Sequence, residues 1–562
     1  MKQRTAIHIG ATYKHVAYSK FDFRYERNGP WPQLMPDRPL GDLPEVVKIP
    51  KFEQKQYKKD VTRVYHWRLF KSAIQGFFYA LTHDRYQKIS DTKFVRQLTE
   101  GVYSKFLAPW PDDPAGDKGI GKELAATVST NMDKKDLFFC DFSMIDAIAD
   151  DCLPGNYVAP NTVVFHRHGK YEFDVVAMRI NALVLTPEDG NAWELAKYFS
   201  LQAAEYSIKF IYHVSLHFPF DTVNALAKST LPTEHVIYKL LEPHLLLSLP
   251  VNNAVLESPN SVVQDNPKKN PFYAPFATKS AYVRKMLHLA TDGIEDHSAY
   301  PQYNFFKVRP LNARTDPKWR DTKWGDWQTR EVPSRFGDVM TRYWKPYYDF
   351  VSGVVAYYHE QIKKLNVAYN DPSISTHRVS DEIKQFDLEK LAIWANQIAE
   401  YIDGFPSDVE FISGEPGSYE IHEEVLTEAL TTVLWTVSLA HAMDHVDDAR
   451  IPPDEKPYRL RMPPPQSKTI KEFSRKDLVN RWDFFPSTLI RKTFTAPITT
   501  LAMPDVKYGF KENSGLQRLA DQFQADLNEV EETIKSDPTL CRDGDPRKQW
   551  IELRHVACSV QY

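Results

Sequence analysis

The sequence predicts a mainly α fold, one large helical body with a small β-hairpin. Three observations carry this. Apolar residues recur at three- and four-residue steps through several long segments, the spacing that lines one face of a helix. Only one segment, Asn161 to Leu185, alternates clearly as strands do. No internal repeat and no convincing linker divides the 562 residues.

Residues 1–60 are polar and carry Pro30, Pro32, Pro36, Pro39 and Pro44, which break any long element. They read as an N-terminal arm, with residues 61–562 as the main domain. Val61 to Leu107 is helical in pattern. Asn161 to Leu185 reads as two strands joined by a turn at His168-Gly169-Lys170. A helix is expected from Trp193 to His217 and another from His235 to Leu247, held between Pro232 and Pro250. Asn252 to Pro275, rich in Asn, Pro and Ser, reads as a loop. Phe336 to Leu365, Leu388 to Ile402 and His422 to Val446 are helical by periodicity. In the last of these, Val425, Leu426, Ala429, Leu430, Val433, Leu434 and Val437 form an apolar stripe. The Pro463-Pro464-Pro465 run and its neighbours make residues 450–470 an irregular connector, and Leu516 to Ile534 is a charged amphipathic helix.

Composition narrows the function. Seventy basic and 74 acidic residues leave a net charge of −4, so no global field favours nucleic acid, and membrane contact is at most peripheral. Cys140, Cys152, Cys541 and Cys558 form no C-x-x-C pair, which excludes a zinc ribbon or redox motif and fits a reducing compartment. The N-terminus shows no signal-peptide core, and the densest apolar stretch, Ala429 to Met443, carries Thr, Ser and His and reads as a buried helix. A cytoplasmic location is expected.

Two histidine pairs share one spacing. His213-Val-Ser-Leu-His217 and His441-Ala-Met-Asp-His445 each place two imidazoles four residues apart, on one face of a helix. Two such pairs on buried helices make a metal site in a bundle. The alternative is a set of hydrogen-bonded core histidines. Zinc-protease chemistry fits poorly, because neither pair is H-E-x-x-H.

Longer motifs then become recognisable. His235-Val-Ile-Tyr-Lys-Leu-Leu-Glu-Pro-His244 resembles the H-P-I-Y-K-L-L-x-P-H signature of lipoxygenases, with Val236 in place of Pro. Pro187-Glu-Asp-Gly190 and Trp193-Glu-Leu-Ala-Lys197 resemble the entry to that family's central helix. Leu430 to Ala442 resembles L-T-x-x-x-x-T-x-S-x-x-H-A, and the tail Val556-Ala-Cys-Ser-Val-Gln-Tyr562 lines up with I-P-N-S-I-S-I. The resemblance runs in order over about residues 140–562. It implies a lipoxygenase-like helical catalytic domain without the N-terminal β-barrel many members carry. It also implies a non-haem iron, with manganese possible, held by His213, His217, His441, His445 and the main-chain carboxylate of Tyr562. The reaction implied is insertion of O2 into a polyunsaturated fatty acid or related lipid to give a hydroperoxide. A metal-bound hydroxide takes the hydrogen atom, and no side-chain nucleophile is needed. The alternative is a metal oxidase or oxygenase of the same fold acting on a different, non-fatty-acid metabolite.

Three departures from the pattern stand out. Three residues, not four, separate His213 from His217, so the helix is expected to be regular α through the site, without the π-bulge the longer spacing accommodates. Lys209 and Asp448 stand where the family has a hydrogen-bonded outer pair; an ion pair across the two helices could replace it, the alternative being that both point to solvent. Val255 stands at the oxygen gate, where Gly or Ala is usual; a one-residue shift would put Ala254 there. Arg459 or Arg461 is placed near the pocket rim, where a guanidinium could hold a substrate carboxylate.

Overall fold

In the computed structural model, the described residues are 25–26, 45–46, 51–117, 119–128, 132–209, 213, 216–257, 276–278, 334–370, 384–401, 412–415, 417–493, 501–542, 545, 550 and 552–561. The arm up to residue 50 lies outside them except for a two-residue strand pair, Tyr25–Glu26 with Glu45–Val46. Residues 51–57 of the expected arm form a helix, Lys51–Tyr57. That helix is tied to the interior by Lys228 Nζ on Glu53 Oε1 at 2.6 Å, both side chains buried.

A five-stranded antiparallel meander extends the expected hairpin: β1 Leu107–Pro109, β2 Leu137–Asp141, β3 Asn161–Arg167, β4 Phe173–Ile180 and β5 Leu183–Leu185. Register is set by pairs such as Val163 with Met178 and shifts opposite Val164/Phe165, where β4 bulges at Val176. Both faces are covered. Phe138, Cys140, Val163 and Met178 join the main core, while Phe139, Val164 and Ala177 pack in a second cluster with Leu124 of the Gly121–Val128 helix. Two-sided burial explains why Leu-Phe-Phe-Cys-Asp in β2 does not alternate.

The Asn191–Ser207 helix runs through the core and is buried throughout from Leu195 to Ser207. A capping box joins Thr186 and Asp189 just ahead of it, and Gly190 takes φ +54° at its N-cap. The Trp193…Lys197 motif has a structural role. Trp193 Nε1 and Lys197 Nζ both donate to Asp91 at 3.1 and 2.7 Å, anchoring the Asp91–Glu100 helix. Around this centre lie the helices Arg335–Asn370, Leu388–Tyr401 and Gly515–Ser536, and the segment from Glu423 to Asp448. That last segment is long and apolar enough to cross a membrane, but 94% of its apolar window is buried inside the protein.

One expected boundary changes. The sequence places a loop from Asn252, but Ser248–Glu257 is helical. Pro250 does not stop it because it sits in the first turn, where its missing N–H has no intrahelical partner to lose. The chain breaks earlier, at Leu247, which takes φ +64°. The expected loop beyond residue 257 lies outside the described residues.

Candidate metal centre

The four histidines converge. His217 Nε2 lies 2.8 Å from His213 Nε2, His441 Nε2 lies 2.9 Å from His217 Nε2, and His445 Nε2 lies 3.1 Å from His441 Nε2. One nitrogen of each ring lies within 4.8 Å of all the others, and all four side chains are buried.

Local winding sets this convergence. The first histidine helix is not regular α through the site, contrary to the expectation from its shortened spacing. Ile208 and Lys209 are wound as π-helix just before His213. After His213 the chain tightens, with Leu216 N–H on the His213 carbonyl at 3.1 Å, and His217 becomes the N-cap of the Phe218–Thr230 helix. The second segment has the same device. Glu423–Trp435 is α, Thr436–Ala440 is π, and His441–Asp448 is α again. A π turn holds an extra residue and so rotates everything after it, a common feature at functional sites. Ser438 secures this turn, donating to Leu434 O at 2.5 Å and sharing a 2.8 Å hydrogen bond with Tyr347 Oη.

The rings' outer nitrogens are also held. His217 Nδ1 faces Asn252 Oδ1 at 2.8 Å, so Nδ1 carries the proton and the Nε2 lone pair points to the centre. His213 Nδ1 lies 3.7 Å from Asp444 Oδ2. Burial pushes His213 and His441 well below the usual imidazole range and lowers His217 to about 4. Burial also pushes Asp444 up to about 6, against the pull of the Lys105 ammonium paired with it.

These donors fit a transition-metal ion. Neutral imidazoles whose nitrogens face one another at 2.8–3.1 Å cannot all act as donor and acceptor, and their lone pairs repel. Two imidazole nitrogens ~2.1 Å from one ion and at right angles lie ~3.0 Å apart. Imidazole donors suit iron, copper, nickel and zinc.

Close to the first histidine helix sits a second buried cluster. Lys209 Nζ donates to Asp448 Oδ2 at 2.5 Å and lies 3.1 Å from Glu205 Oε1. Lys456 Nζ pairs with Asp448 Oδ1, donates to the Asp448 carbonyl at 2.8 Å and lies 3.6 Å from Glu205. Tyr103 Oη donates to Glu205 Oε2. Burial alone would raise Asp448 and lower Lys209. Instead the two ammoniums hold Asp448 below the usual carboxylate range, and Asp448 and Glu205 hold Lys209 above its usual value. The family resemblance brings Lys209 and Asp448 to notice but not Glu205, Lys456, Asn252 or Asp444. Glu205 had a signal in its i, i+4 relation to Lys209; Lys456, in the Pro-rich connector, had none.

The remaining expected positions divide. The side chain of Val255 and the whole of Tyr562 lie outside the described residues, although Val255 belongs to the Ser248–Glu257 helix that carries Asn252. Ala254 is half-buried. The tail leading to Tyr562 is buried from Val556 to Gln561. His244 of the His235–His244 motif clamps it, facing Cys558 O at 2.8 Å and Tyr508 Oη at 3.0 Å. Arg459 and Arg461 line an open cleft of about 490 Å³, and both bind Asp483, at 2.9 and 2.8 Å.

No sequence-family description and no curated protein sequence matches this chain. Solved structures do match. A manganese lipoxygenase of Gaeumannomyces graminis aligns over 96% of this chain and 96% of its own, with a TM-score of 0.65 and 15% identity. Coral 8R-lipoxygenase aligns over 97% of this chain and 80% of its own, with a TM-score of 0.63 and 15% identity. A lipoxygenase crystallised anaerobically with arachidonate aligns over the same shares, with a TM-score of 0.63 and 14% identity.

Proposed function

This chain has the lipoxygenase catalytic-domain fold, and on that premise we propose that it is a metal-dependent dioxygenase. It inserts O2 into a polyunsaturated fatty acid or related lipid to give a hydroperoxide. His213, His217, His441 and His445, with the main-chain carboxylate of Tyr562, hold iron, or manganese as the alternative. The observation that carries the reading is the convergence of four buried imidazoles, 2.8–3.1 Å from ring to ring, within a body of this fold. The bound ion supplies a one-electron oxidation of the weak C–H between two cis double bonds. The chain supplies the setting. Asn252 keeps the His217 proton on Nδ1, the buried walls exclude water, and the Lys209–Asp448 pair braces the two histidine segments from outside the ligand set. Val255, one helical turn after Asn252, is the proposed control on oxygen access. Residues 61–562 form the catalytic domain in this reading, with residues 1–60 as an arm. The four free cysteines support a reducing, cytoplasmic setting.

One observation favours a second reading, the same metal fold acting on a metabolite that is not a fatty acid. Arg459 and Arg461 are both engaged by Asp483, so a substrate carboxylate placed there must displace a bidentate partner. Oxygen uptake with linoleate or arachidonate, followed by conjugated-diene absorbance, separates the two. Uptake with diene formation supports the dioxygenase. Metal-loaded protein silent on both lipids favours the second reading, and protein that binds no metal defeats both.

A further inference from the structure

The Arg63–Thr82 helix is inside out. Its buried face is built from small residues at four-residue steps: Ser72, Gly76 and Ala80. They pack on the Phe484–Thr493 helix so closely that a Cβ on Gly76 would stand 3.0 Å from the Phe485 carbonyl oxygen. Tyr65, Leu69 and Tyr79 are half-buried, but six other large residues face outward. Trp67, Phe70, Ile74, Phe77, Phe78 and Leu81 form one exposed stripe, with Trp67, Phe70 and Phe78 at 55%, 59% and 60% exposure. Trp482, half exposed and 5.9 Å from Phe77 between ring centres, widens it. An aromatic side chain can bury ~150–250 Å², so seven half-exposed residues present on the order of 600 Å², the upper end for a soluble monomer's largest patch.

Charge selects the occupant. From Lys55 to Thr82 the sequence holds Lys55, Lys58, Lys59, Arg63, Arg68 and Lys71 against a single acid, Asp60. Lys55, Lys58, Lys59 and Lys71 are exposed, and Lys71 Nζ lies 5.0 Å above the Trp67 ring. Arg481, beside Trp482, is exposed as well. An apolar helix face edged with tryptophan and lysine is the composition that lies in the plane of a lipid interface, apolar side down and cations at the headgroups. Two copies docked stripe to stripe would instead set lysine against lysine. We propose that this face seats the protein on an anionic lipid surface. The inference does not rest on the proposed metal or reaction, so vesicle binding and oxygen uptake can fail separately.

The test is co-sedimentation of the full chain with vesicles of phosphatidylcholine alone or mixed with phosphatidylserine. The wild type should bind the mixed vesicles, and added salt should weaken binding. The double variant Phe70→Glu/Phe78→Glu, both sites being exposed, should keep its melting temperature and partition at least about tenfold less. Lys71→Glu should lower the preference for anionic over neutral vesicles. The proposal is overturned if the wild type stays in solution, or if the double variant binds as the wild type does. A concentration-dependent dimer that the double variant abolishes would give the face to a second copy. Oxidative footprinting that finds Trp67 and Trp482 already protected in vesicle-free monomer would give it to another part of this chain. Either result also overturns the proposal.

Discussion

Two buried quartets lie side by side, on the same pair of segments except for Lys456 of the Pro-rich connector, and they are built on opposite principles. Glu205, Lys209, Asp448 and Lys456 are two anions and two cations whose contacts answer one another. His213, His217, His441 and His445 are four buried imidazoles that each bring one ring nitrogen within 4.8 Å of the others. The first set pairs charge with charge as folded, while the second gathers four ring nitrogens that a cation could share. Charge thus neutralises charge beside the proposed metal site, which in this reading leaves the ring nitrogens to the ion.

The largest expected effect removes one side of that contrast. His441→Ala should abolish stoichiometric metal binding, read by elemental analysis, and leave the cooperative urea transition of the metal-free protein in place. If the variant instead fails to fold, the quartet is core and not site. Next is Asp448→Ala, which strands two buried ammoniums and should cost about 3–5 kcal/mol in denaturant unfolding. Replacing Lys135, an exposed lysine, by Gln is the control and should change stability by less than about 0.5 kcal/mol.

The sequence revealed these two quartets unequally. The histidine pairs were legible because helical spacing is written in the chain, and Lys209 and Asp448 were legible only through the family resemblance, which marks their positions as an outer pair. Lys456 and Asn252 reach the site through folding of the Pro-rich connector and of the Ser248–Glu257 helix, which no local period encodes. The π turns were also hidden, because apolar residues in an α–π–α segment keep the three- and four-residue steps of a continuous helix. Strand β2 escaped for the related reason that burial on both faces removes alternation.

A finer test concerns the histidine quartet's support. Asn252→Ala takes the acceptor from His217 Nδ1 and should weaken metal affinity roughly 10- to 100-fold, measured by chelator competition, with little change in metal-free stability. An equal loss in metal-free stability would make Asn252 a packing residue. A graded rather than all-or-none effect is the pH response of histidines away from the quartet. Burial lowers His235 to about 3 and His244 to about 4. The unfolded chain takes up these protons near pH 6.5 and the folded chain does not. Stability should therefore fall as pH drops from about 6.5 toward 4, by at most about 1.4 kcal/mol per pH unit for each group. His244→Gln should flatten that slope, and an unchanged slope would show that His244 is not titrating as the fold requires.

Metal analysis of the untagged protein, paired with X-ray absorption at the metal edge, tests the central claim most directly. The account predicts a single tightly held iron or manganese with several imidazole nitrogens in its first coordination sphere, and loss of that signal in His441→Ala. A chain that purifies and reconstitutes without a transition metal, or one that keeps the same nitrogen-rich spectrum without His441, would contradict it.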